Sequence, residues 1–357
     1  MSMAPSEARA NQTLRIIDAS LNRIGEGLRL LEDMARLLLN DVTLTQQLKT
    51  MRHELITGDW ALNQQLLQAR NAEGDVGIGL EAPQQAKEKA LPEVVTANAR
   101  RVQQSLRVIE ELAKLPDIKL DSQRFKQSRF DLYTIERNLI SKLLRKDKVA
   151  GISGLYAIID AQFLKGRRHV EVAEQVIKGG AKIIQLRDKT TDHRELLPIA
   201  QELKSLCAQH NVLFIVNDYL DLALAADADG LHLGQDDLPI PVARRLLSMD
   251  KILGCSVATV DQAITAQSEG ADYIAAGAIY PTTSREATEV IGLDTLRLIK
   301  KKVGLPLVAI GGISQDNVIE ALAAGADSVA VIGAILEAES PQETARQIVA
   351  RLESKGE

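Results

Sequence analysis

The sequence predicts an α/β protein in which a (β/α)8 barrel, the TIM barrel, follows an all-α helical domain. Three observations indicate this. The first half of the sequence has helical periodicity and contains an internal duplication. Residues 143–154, which are charged and then contain glycine, form the junction between the two halves. The second half alternates short apolar runs with amphipathic segments. We therefore expect two domains, residues 1–148 and residues 149–357.

Composition and charge are those of a soluble globular protein. The 357 residues include 43 Lys and Arg against 48 Asp and Glu, a net charge of −5, and 45% are hydrophobic. This balance of charges argues against nucleic-acid or membrane-surface partners. No stretch of the sequence approaches the roughly 18 consecutive apolar residues of a membrane span, so we expect none. Cys207 and Cys255 lack metal-type spacing and the N-terminus lacks a signal pattern, so we expect a cytoplasmic protein.

The first half reads as a duplicated helix pair. Residues 18–39 place apolar side chains three or four positions apart, which predicts an amphipathic helix capped by Asp18 or Ser20. Residues 96–114 align with residues 18–36 at an offset of 78 with six identities, and a second match follows each copy. We interpret this half as a bundle of duplicated helices, with the glycine-rich residues 71–85 as a loop.

The arginines and glutamates of the duplication have two interpretations. Glu32 follows Arg29, and Glu110 follows Arg107, at the three-residue spacing of helix-surface ion pairs. Alternatively, the repeated arginines face a central groove and hold an anion; these are Arg23, Arg29, Arg52, Arg101, Arg107 and Arg129. We favour ion pairs, because charged repeats on helices usually form solvated or salt-bridged faces.

After residue 154 the sequence contains eight strand–helix units. Their apolar runs are LYAIID, KIIQLRDK, VLFIVND, GLHLG, ILGCSV, YIAAGAIY, LPLVAIGG and DSVAVIGAI. Near-continuous apolar strands are typical of parallel sheets covered on both faces, and eight units favour a closed barrel over an open sheet. Ligands bind at the carboxyl ends of the strands in this architecture, so the polar residues there are the candidate site.

The end of the second strand predicts a phosphate site. Alternation directs Gln185, Arg187 and Lys189 to one side, and Leu186 and Asp188 to the other. Two cations and an amide suit a phosphate-bearing ligand, and the alternative is an ion pair with carboxylates inside the barrel.

The ends of the third and fourth strands predict a magnesium site. Asn217 and Asp218 end one strand and Asp237 follows the next, and carboxylates beside amide oxygens match the preference of Mg²⁺. Helix capping is the alternative for these acids, and it is our interpretation of Asp221 and Asp236. The five histidines lack zinc-ligand spacing, and we interpret His232 as a residue that fills the barrel.

The remaining strands end in hydroxyls and glycines. Ser256 either donates a hydrogen bond to a ligand or is a satisfied strand-end hydroxyl. Residues 282–285, Thr-Thr-Ser-Arg, resemble an anion cradle, although turns also favour such residues. Gly311, Gly312 and Gly333 let backbone amides approach a phosphate. Two anion sites and a Mg²⁺ site without an evident base or nucleophile favour joining two phosphorylated molecules with release of pyrophosphate.

Seven stretches between about residues 154 and 340 closely resemble the thiamine-phosphate synthase family. They are, in order, QLRDK, IVND, GLHLGQDD, GCS, GAIYPTTSR, AIGGI and VIGAI. The resemblance implies a Mg²⁺-dependent transferase that couples 4-amino-2-methyl-5-(diphosphooxymethyl)pyrimidine to thiazole phosphate, as pyrophosphate leaves and the thiazole nitrogen captures the pyrimidine cation. The helical half resembles the N-terminal extension of some members.

The resemblance also implies roles for individual residues. Asp218 and Asp237 would bind Mg²⁺. The substrate-binding residues would be Gln185, Arg187, Lys189 and Asn217 for the diphosphate, Ser256 for the pyrimidine, Thr282, Thr283 and Ser284 for the thiazole phosphate, and Gly311, Gly312, Ile332 and Gly333 for its phosphate. Leu186 and Asp188 of the QLRDK stretch are included as candidates for substrate binding. Arg187, Lys189, Ser256 and Arg285 are the candidate catalytic residues.

Two departures from the family pattern and two rival functions accompany this interpretation. The family usually has Lys at Arg285 and Ser at Gly333. The first rival is a related barrel that isomerises thiazole phosphate, and the cations and acids at strands two to four argue against it because an isomerase has no pyrophosphate to hold. The second rival is a non-catalytic thiamine-phosphate sensor, which would have little need for paired carboxylates. The sequence leaves the oligomeric state open, and a homo-oligomer is compatible with it.

Overall fold

The computed structural model describes residues 5–56, 60–70, 90–282 and 289–354. The chain divides into two compact units, Met1–Leu144 and Arg145–Glu357. The division after residue 148 that the sequence suggests stays a prediction. Among the helices of the described ranges, none combines the length and the apolar character that crossing a bilayer requires.

The first unit is helical throughout its described ranges. Its helices are α1 (Pro5–Asp33), α2 (Val42–Ile56), α3 (Trp60–Ala69), α4 (Leu91–Leu112) and α5 (Ser122–Ala150), the last of which continues past the unit boundary. A π-helical turn, Met34–Leu38, follows α1. The two copies of the duplicated segment lie in α1 and α4, which pack through buried stripes that include Ile24, Leu28, Val102 and Leu106. The glycine-rich segment 71–85 lies outside the described residues.

The helix cap predicted in the first segment is wrong. Because α1 begins at Pro5, Asp18 and Ser20 lie inside the helix instead of at its start. The apolar period extends backward to Ile17, which is fully buried, and this burial stabilises the earlier turns. Asp18 instead binds the Arg70 guanidinium at 2.7 Å.

The repeated charges of the helical unit divide between the two interpretations. Glu110 binds both Arg107, at 2.7 Å, and Arg129, at 2.9 Å. Glu32 binds Arg52 at 2.9 Å. The predicted Arg29–Glu32 pair does not form, because Glu32 reaches across to α2.

Arg23 and Arg101 occupy equivalent positions of the two copies and have a different environment. They line a groove of about 540 Å³ together with residues of α1 and α4. Neither arginine forms an ion pair within the described part of the chain. Of the two interpretations, a groove lined by repeated arginines therefore applies to Arg23 and Arg101.

The second unit is a closed barrel of eight parallel strands in chain order, which confirms the predicted fold. The strands are β1 (Gly154–Asp160), β2 (Ile183–Arg187), β3 (Leu213–Asn217), β4 (Gly230–Leu233), β5 (Ile252–Val257), β6 (Tyr273–Ala276), β7 (Leu307–Ile310) and β8 (Ser328–Val331). The helices are α6 (His169–Lys178), α7 (His193–Gln209), α8 (Leu220–Ala225), α9 (Ile240–Leu246), α10 (Val260–Glu269), α11 (Gly292–Lys302), α12 (Val318–Ala323), α13 (Gly333–Leu336) and α14 (Pro341–Glu353).

Strand alternation sorts the barrel residues into two cores. Side chains such as Tyr156, Ile183 and Tyr273 fill the interior. The intervening residues, such as Leu155 and Leu186, pack against the surrounding helices. Both faces of every strand are covered, and therefore the strands are apolar over nearly their whole length. Polar residues are concentrated where the strands end.

Candidate active site

A cavity of about 610 Å³ opens at the carboxyl ends of the strands. Strand register brings together residues that are distant in sequence, for example by pairing Asn217 with His232. The predicted site residues that line the cavity are Gln185, Arg187, Lys189, Asn217, Asp218, Asp237, Ser256, Thr282, Gly311, Gly312, Ile332 and Gly333. These twelve residues come from seven of the eight strand ends and the loops that follow them, and one concave site brings them together.

Two predicted residues lie outside this cavity. Leu186 packs in the core between strands and helices, and the Asp188 carboxylate accepts hydrogen bonds of 2.8–2.9 Å from the amides and hydroxyls of Thr190 and Thr191. Burial acts to raise the pKa of Asp188, but these hydrogen bonds outweigh it and lower the pKa to about 2. Asp188 thus shapes the loop after β2, and neither Asp188 nor Leu186 belongs to the proposed site.

Three further candidates cannot be placed. Thr283, Ser284 and Arg285 lie outside the described residues. Their predicted contacts with the thiazole phosphate stay predictions.

Cations line the cavity next to β2. The Arg187 guanidinium binds the buried carboxylate of Asp160 at the end of β1, so the alternative of an ion pair inside the barrel is realised. Arg187 nevertheless lines the cavity, which leaves part of its fork exposed to a ligand. Lys189 Nζ lies 3.0 Å from the Asp218 carboxylate and is about half exposed. Arg187 and Lys189 therefore each form an ion pair with an acid and also line the cavity.

The two candidate metal ligands meet at the cavity rim. Asp218 has a left-handed backbone with φ of 62°, and its amide donates to the His232 carbonyl at 2.9 Å. Burial and the neighbouring Asp237 carboxylate, which accepts a hydrogen bond from the protonated form of Asp218, raise the pKa of the Asp218 carboxyl, against the effect of Lys189. The second carboxylate is oriented by the Gly234 amide, which donates to Asp237 at 2.6 Å.

This acidic pair fits a magnesium ion. Two carboxylates that repel each other at one point would both be stabilised by a divalent cation between them. In the described part of the chain, no cluster of three or more His, Cys, Asp and Glu side chains could hold a metal. The pair therefore matches a site that Mg²⁺ completes with water and substrate phosphates.

The opposite side of the cavity has a close backbone approach. Gly311 and Gly312 both have left-handed φ values, 93° and 67°. A Cβ at Gly312 would lie 2.5 Å from the Pro281 carbonyl oxygen. Only glycine fits both the dihedral angles and this space, and the absence of side chains exposes backbone amides to an anion.

Several cavity residues were missed or misinterpreted from the sequence. His232, interpreted as filler, lines the cavity and binds Ser256, and Asp236, interpreted as a cap, also lines it. Helix α9 begins only at Ile240, with Pro239 as its N-cap, and so Asp236 does not cap it. The alternation of side chains in GLHLG places His232 inside the barrel, and this pattern could have identified it as a cavity residue.

Other lining residues carried no motif. Tyr156, Ser314 and Glu337 line the cavity although no pattern singled them out. Asp221 lies in the first turn of α8 and binds His193 at 3.0 Å, without the side-chain cap predicted for it.

A closed barrel with a carboxylate pair, cations and glycine-rich strand ends at one cavity defines an enzyme of phosphorylated small molecules. A model of the thiamine monophosphate synthase family matches residues 155–335, and a model of the ThiD2 family matches residues 15–138. The chain belongs to the thiamine monophosphate synthase family. The predicted function, thiamine-phosphate synthase, a transferase of thiamine biosynthesis, is thereby confirmed.

Individual relatives show how much of the chain is shared. The thiamine-phosphate synthase of Thermosynechococcus vestitus is 38% identical over 357 residues, which covers 99% of each chain. That of Nostoc punctiforme is 37% identical over 340 residues, covering 95% of this chain and 93% of its own. The solved thiamine phosphate pyrophosphorylase from Pyrococcus furiosus is 39% identical with a TM-score of 0.53, covering 59% of this chain and 98% of its own.

Proposed function

We propose that this cavity couples the pyrimidine diphosphate to thiazole phosphate and that Asp218 and Asp237 hold the Mg²⁺ ion of the reaction. The observation that carries the proposal is the contact between these two carboxylates at the rim that Lys189 also lines. A binding module for thiamine phosphate would have no use for such a pair. The pyrimidine diphosphate and the thiazole phosphate are the two small-molecule partners.

The diphosphate would lie beside β2 and β3. Arg187 and Lys189 would bind its oxygens, with the amides of Gln185 and Asn217 nearby. The bond from the pyrimidine methylene carbon to the diphosphate oxygen breaks, and the electron pair departs with the diphosphate. When bound, Mg²⁺ would supply positive charge that stabilises the departing oxygens.

The thiazole phosphate would lie beside β7 and β8. Amides near Gly311, Gly312 and Gly333 would bind its phosphate, and Thr282 lines the same wall. The lone pair of the thiazole nitrogen then forms the new bond to the methylene carbon. This bond formation needs no general base.

We also propose that the enzyme works in the cytoplasm, without nucleic-acid or membrane partners. The net charge of −5 and two buried free cysteines support this proposal. A homo-oligomer stays a prediction.

The first test measures pyrophosphate release from the pyrimidine diphosphate, with and without thiazole phosphate and with and without Mg²⁺. Asp218→Asn is the decisive variant, because asparagine tolerates the left-handed backbone that alanine would strain. We expect turnover to fall roughly 100-fold or more, since charge stabilisation of the leaving group is lost.

Asp221→Asn is the matched control. This acid is three positions away, its side chain is 72% exposed, and it lies outside the cavity. We expect it to retain turnover. Near-normal turnover in Asp218→Asn, with its Mg²⁺ dependence unchanged, would refute the proposed metal site.

A further inference from the structure

A chain of hydrogen bonds runs through the barrel interior along one wall of the cavity. Gln185 Nε2 donates to Tyr156 Oη at 2.7 Å, and Tyr156 Oη lies 2.9 Å from Tyr273 Oη. Tyr273 Oη lies 3.1 Å from His232 Nδ1, and His232 Nε2 lies 2.9 Å from Ser256 Oγ. Five strands contribute one side chain each, and all members except Ser256 are buried. Its two ends, Gln185 and Ser256, face the cavity.

The direction of this chain follows from the number of protons available. The Gln185 amide nitrogen is only a donor, so Tyr156 accepts from it. The hydroxyl proton of Tyr156 is buried and finds its acceptor in Tyr273 Oη, since a buried donor without a partner is costly. Tyr273 then donates to His232 Nδ1, which has to be unprotonated. A neutral imidazole has one N–H, so a ring whose Nδ1 accepts a hydrogen bond carries its proton on Nε2 and donates it to Ser256.

We infer that this chain of hydrogen bonds leaves the Ser256 hydroxyl proton free to point into the cavity and makes Ser256 an obligatory donor to an acceptor atom of the pyrimidine substrate. The inference rests on the proposed role of Ser256 in binding that substrate. His232 and Tyr273 act through Ser256 and are positioning residues. The selected chemistry is a ring nitrogen with a free lone pair, because the Ser256 proton has no acceptor within this chain of hydrogen bonds and needs one from the substrate.

The tautomer of His232 tests the direction of the chain without any substrate. ¹⁵N-labelled imidazole spectra of the full chain near neutral pH, with the His232 signals identified by their loss in His232→Gln, distinguish the two ring nitrogens. We expect Nε2 to be protonated and Nδ1 to be unprotonated. A proton on Nδ1 would reverse every hydrogen bond up to Gln185 and overturn the inference.

A double-mutant cycle tests whether Tyr273 acts through Ser256. We expect Tyr273→Phe to lower kcat/KM for the pyrimidine diphosphate by about 3- to 10-fold, the value of one hydrogen bond, and to leave the KM for thiazole phosphate unchanged. In a Ser256→Ala background the same substitution should have no further effect, because the hydroxyl that it orients is gone. Full additivity would overturn the inference.

Tyr156→Phe is the matched control for the cycle. It removes the same hydroxyl group at an equally buried site, but on the Gln185 side of Tyr273. Tyr273 can still donate to His232, so the effect of Tyr156→Phe should add to that of Ser256→Ala. Circular dichroism checks the fold of each variant, and the wild-type tautomer decides the direction even where a variant does not fold.

Separate variants distinguish failure of this inference from failure of the proposed metal site. Full kcat/KM for the pyrimidine diphosphate in Ser256→Ala would remove Ser256 from the site and overturn the inference, whereas the Asp218→Asn experiment tests the metal site independently. A protonated Nε2 combined with a non-additive cycle supports the inference.

Discussion

Asp218 has a backbone conformation that few side chains adopt, with φ of 62° directly after β3. Asparagine, aspartate and glycine tolerate this region best, because their side chains clash least with the neighbouring carbonyl. The turn brings the carboxylate of Asp218 to that of Asp237, which follows a different strand. The proposed metal-binding pair therefore depends on a local backbone conformation that the sequence Asn217-Asp218 permits but does not require.

Gly312 shows the same dependence on the other side of the cavity. We expect Gly312→Ala to lower the free energy of unfolding by about 1 to 3 kcal/mol more than left-handed strain alone, because the new methyl meets the Pro281 carbonyl and the Tyr280 side chain. Urea unfolding measures this loss, and the KM for thiazole phosphate should rise in the same variant.

The control for this prediction is Gly166→Ala. Gly166 also has a positive φ, 82°, but a Cβ there would meet nothing within 4 Å. It should show only the strain of a left-handed alanine, about 1 to 2 kcal/mol. Equal losses in the two variants would mean that the close approach at Gly312 relaxes without cost.

At the scale of secondary-structure elements, the period of each segment decides which side chains reach the site. Alternation along β2 sends Gln185 and Arg187 inward and Leu186 outward, as the sequence predicts. The same rule excludes Asp188, although it belongs to the motif. For residues of a strand, the face on which a side chain lies is thus a better predictor of whether it reaches the cavity than its membership in a motif.

Helix α4 carries the most buried acid among the described residues of the helical unit, which gives a second prediction. Glu110 is 3% exposed and binds two arginines, Arg107 and Arg129. We expect Glu110→Ala to lower the free energy of unfolding by roughly 3 kcal/mol, because the largely covered guanidinium of Arg129 loses its carboxylate. Chemical unfolding of the full chain, followed by circular dichroism, measures this.

The adjacent residue is the control. Glu111 also binds Arg107, and Lys114 as well, but its side chain is 45% exposed. Water replaces these contacts, so we expect Glu111→Ala to leave the unfolding transition unchanged. Equal destabilisation by the two substitutions would contradict the view that burial determines the value of these ion pairs.

For the whole molecule, the main question is where the barrel unit begins. The Pyrococcus furiosus relative aligns over 98% of its length with 59% of this chain, so a barrel of this family exists without the helical unit. In this chain the barrel unit starts at Arg145, within α5. Arg145 binds the buried carboxylate of Asp272 at 2.9 Å, and Lys148 binds Asp250 at 3.2 Å.

These contacts predict that two barrel fragments differ in stability. A fragment of residues 141–357 keeps Arg145, whereas a fragment of residues 149–357, cut at the division suggested by the sequence, leaves Asp272 with only Arg244 as its ion-pair partner within the described ranges. We expect the shorter fragment to unfold at a temperature lower by roughly 5 °C. Thermal unfolding measures the difference.

Turnover of the longer fragment tests the independence of the barrel. We expect it to retain the coupling reaction, since every described residue that lines the cavity belongs to the barrel unit. Equal melting temperatures would contradict the role of Arg145, and an inactive but folded fragment would show that the helical unit takes part in the reaction.

Hydrophobic period and strand-end chemistry determined most of this protein from the sequence alone. The switch of period near residue 154, the eight apolar runs and the polar strand ends predicted the closed barrel and twelve residues of its cavity. These features are local in the chain, because burial of one face imposes a repeat on neighbouring residues. The order of the motifs also sufficed to identify the family.

Tertiary structure alone decided which polar groups meet. The Asp218–Asp237 contact, the second arginine on Glu110 and the chain from Gln185 to Ser256 join residues from different elements. No sequence repeat encodes such contacts, because register and packing set the distances between side chains of separate elements. For the same reason His232, which looked like filler in its own strand, became the residue that orients Ser256.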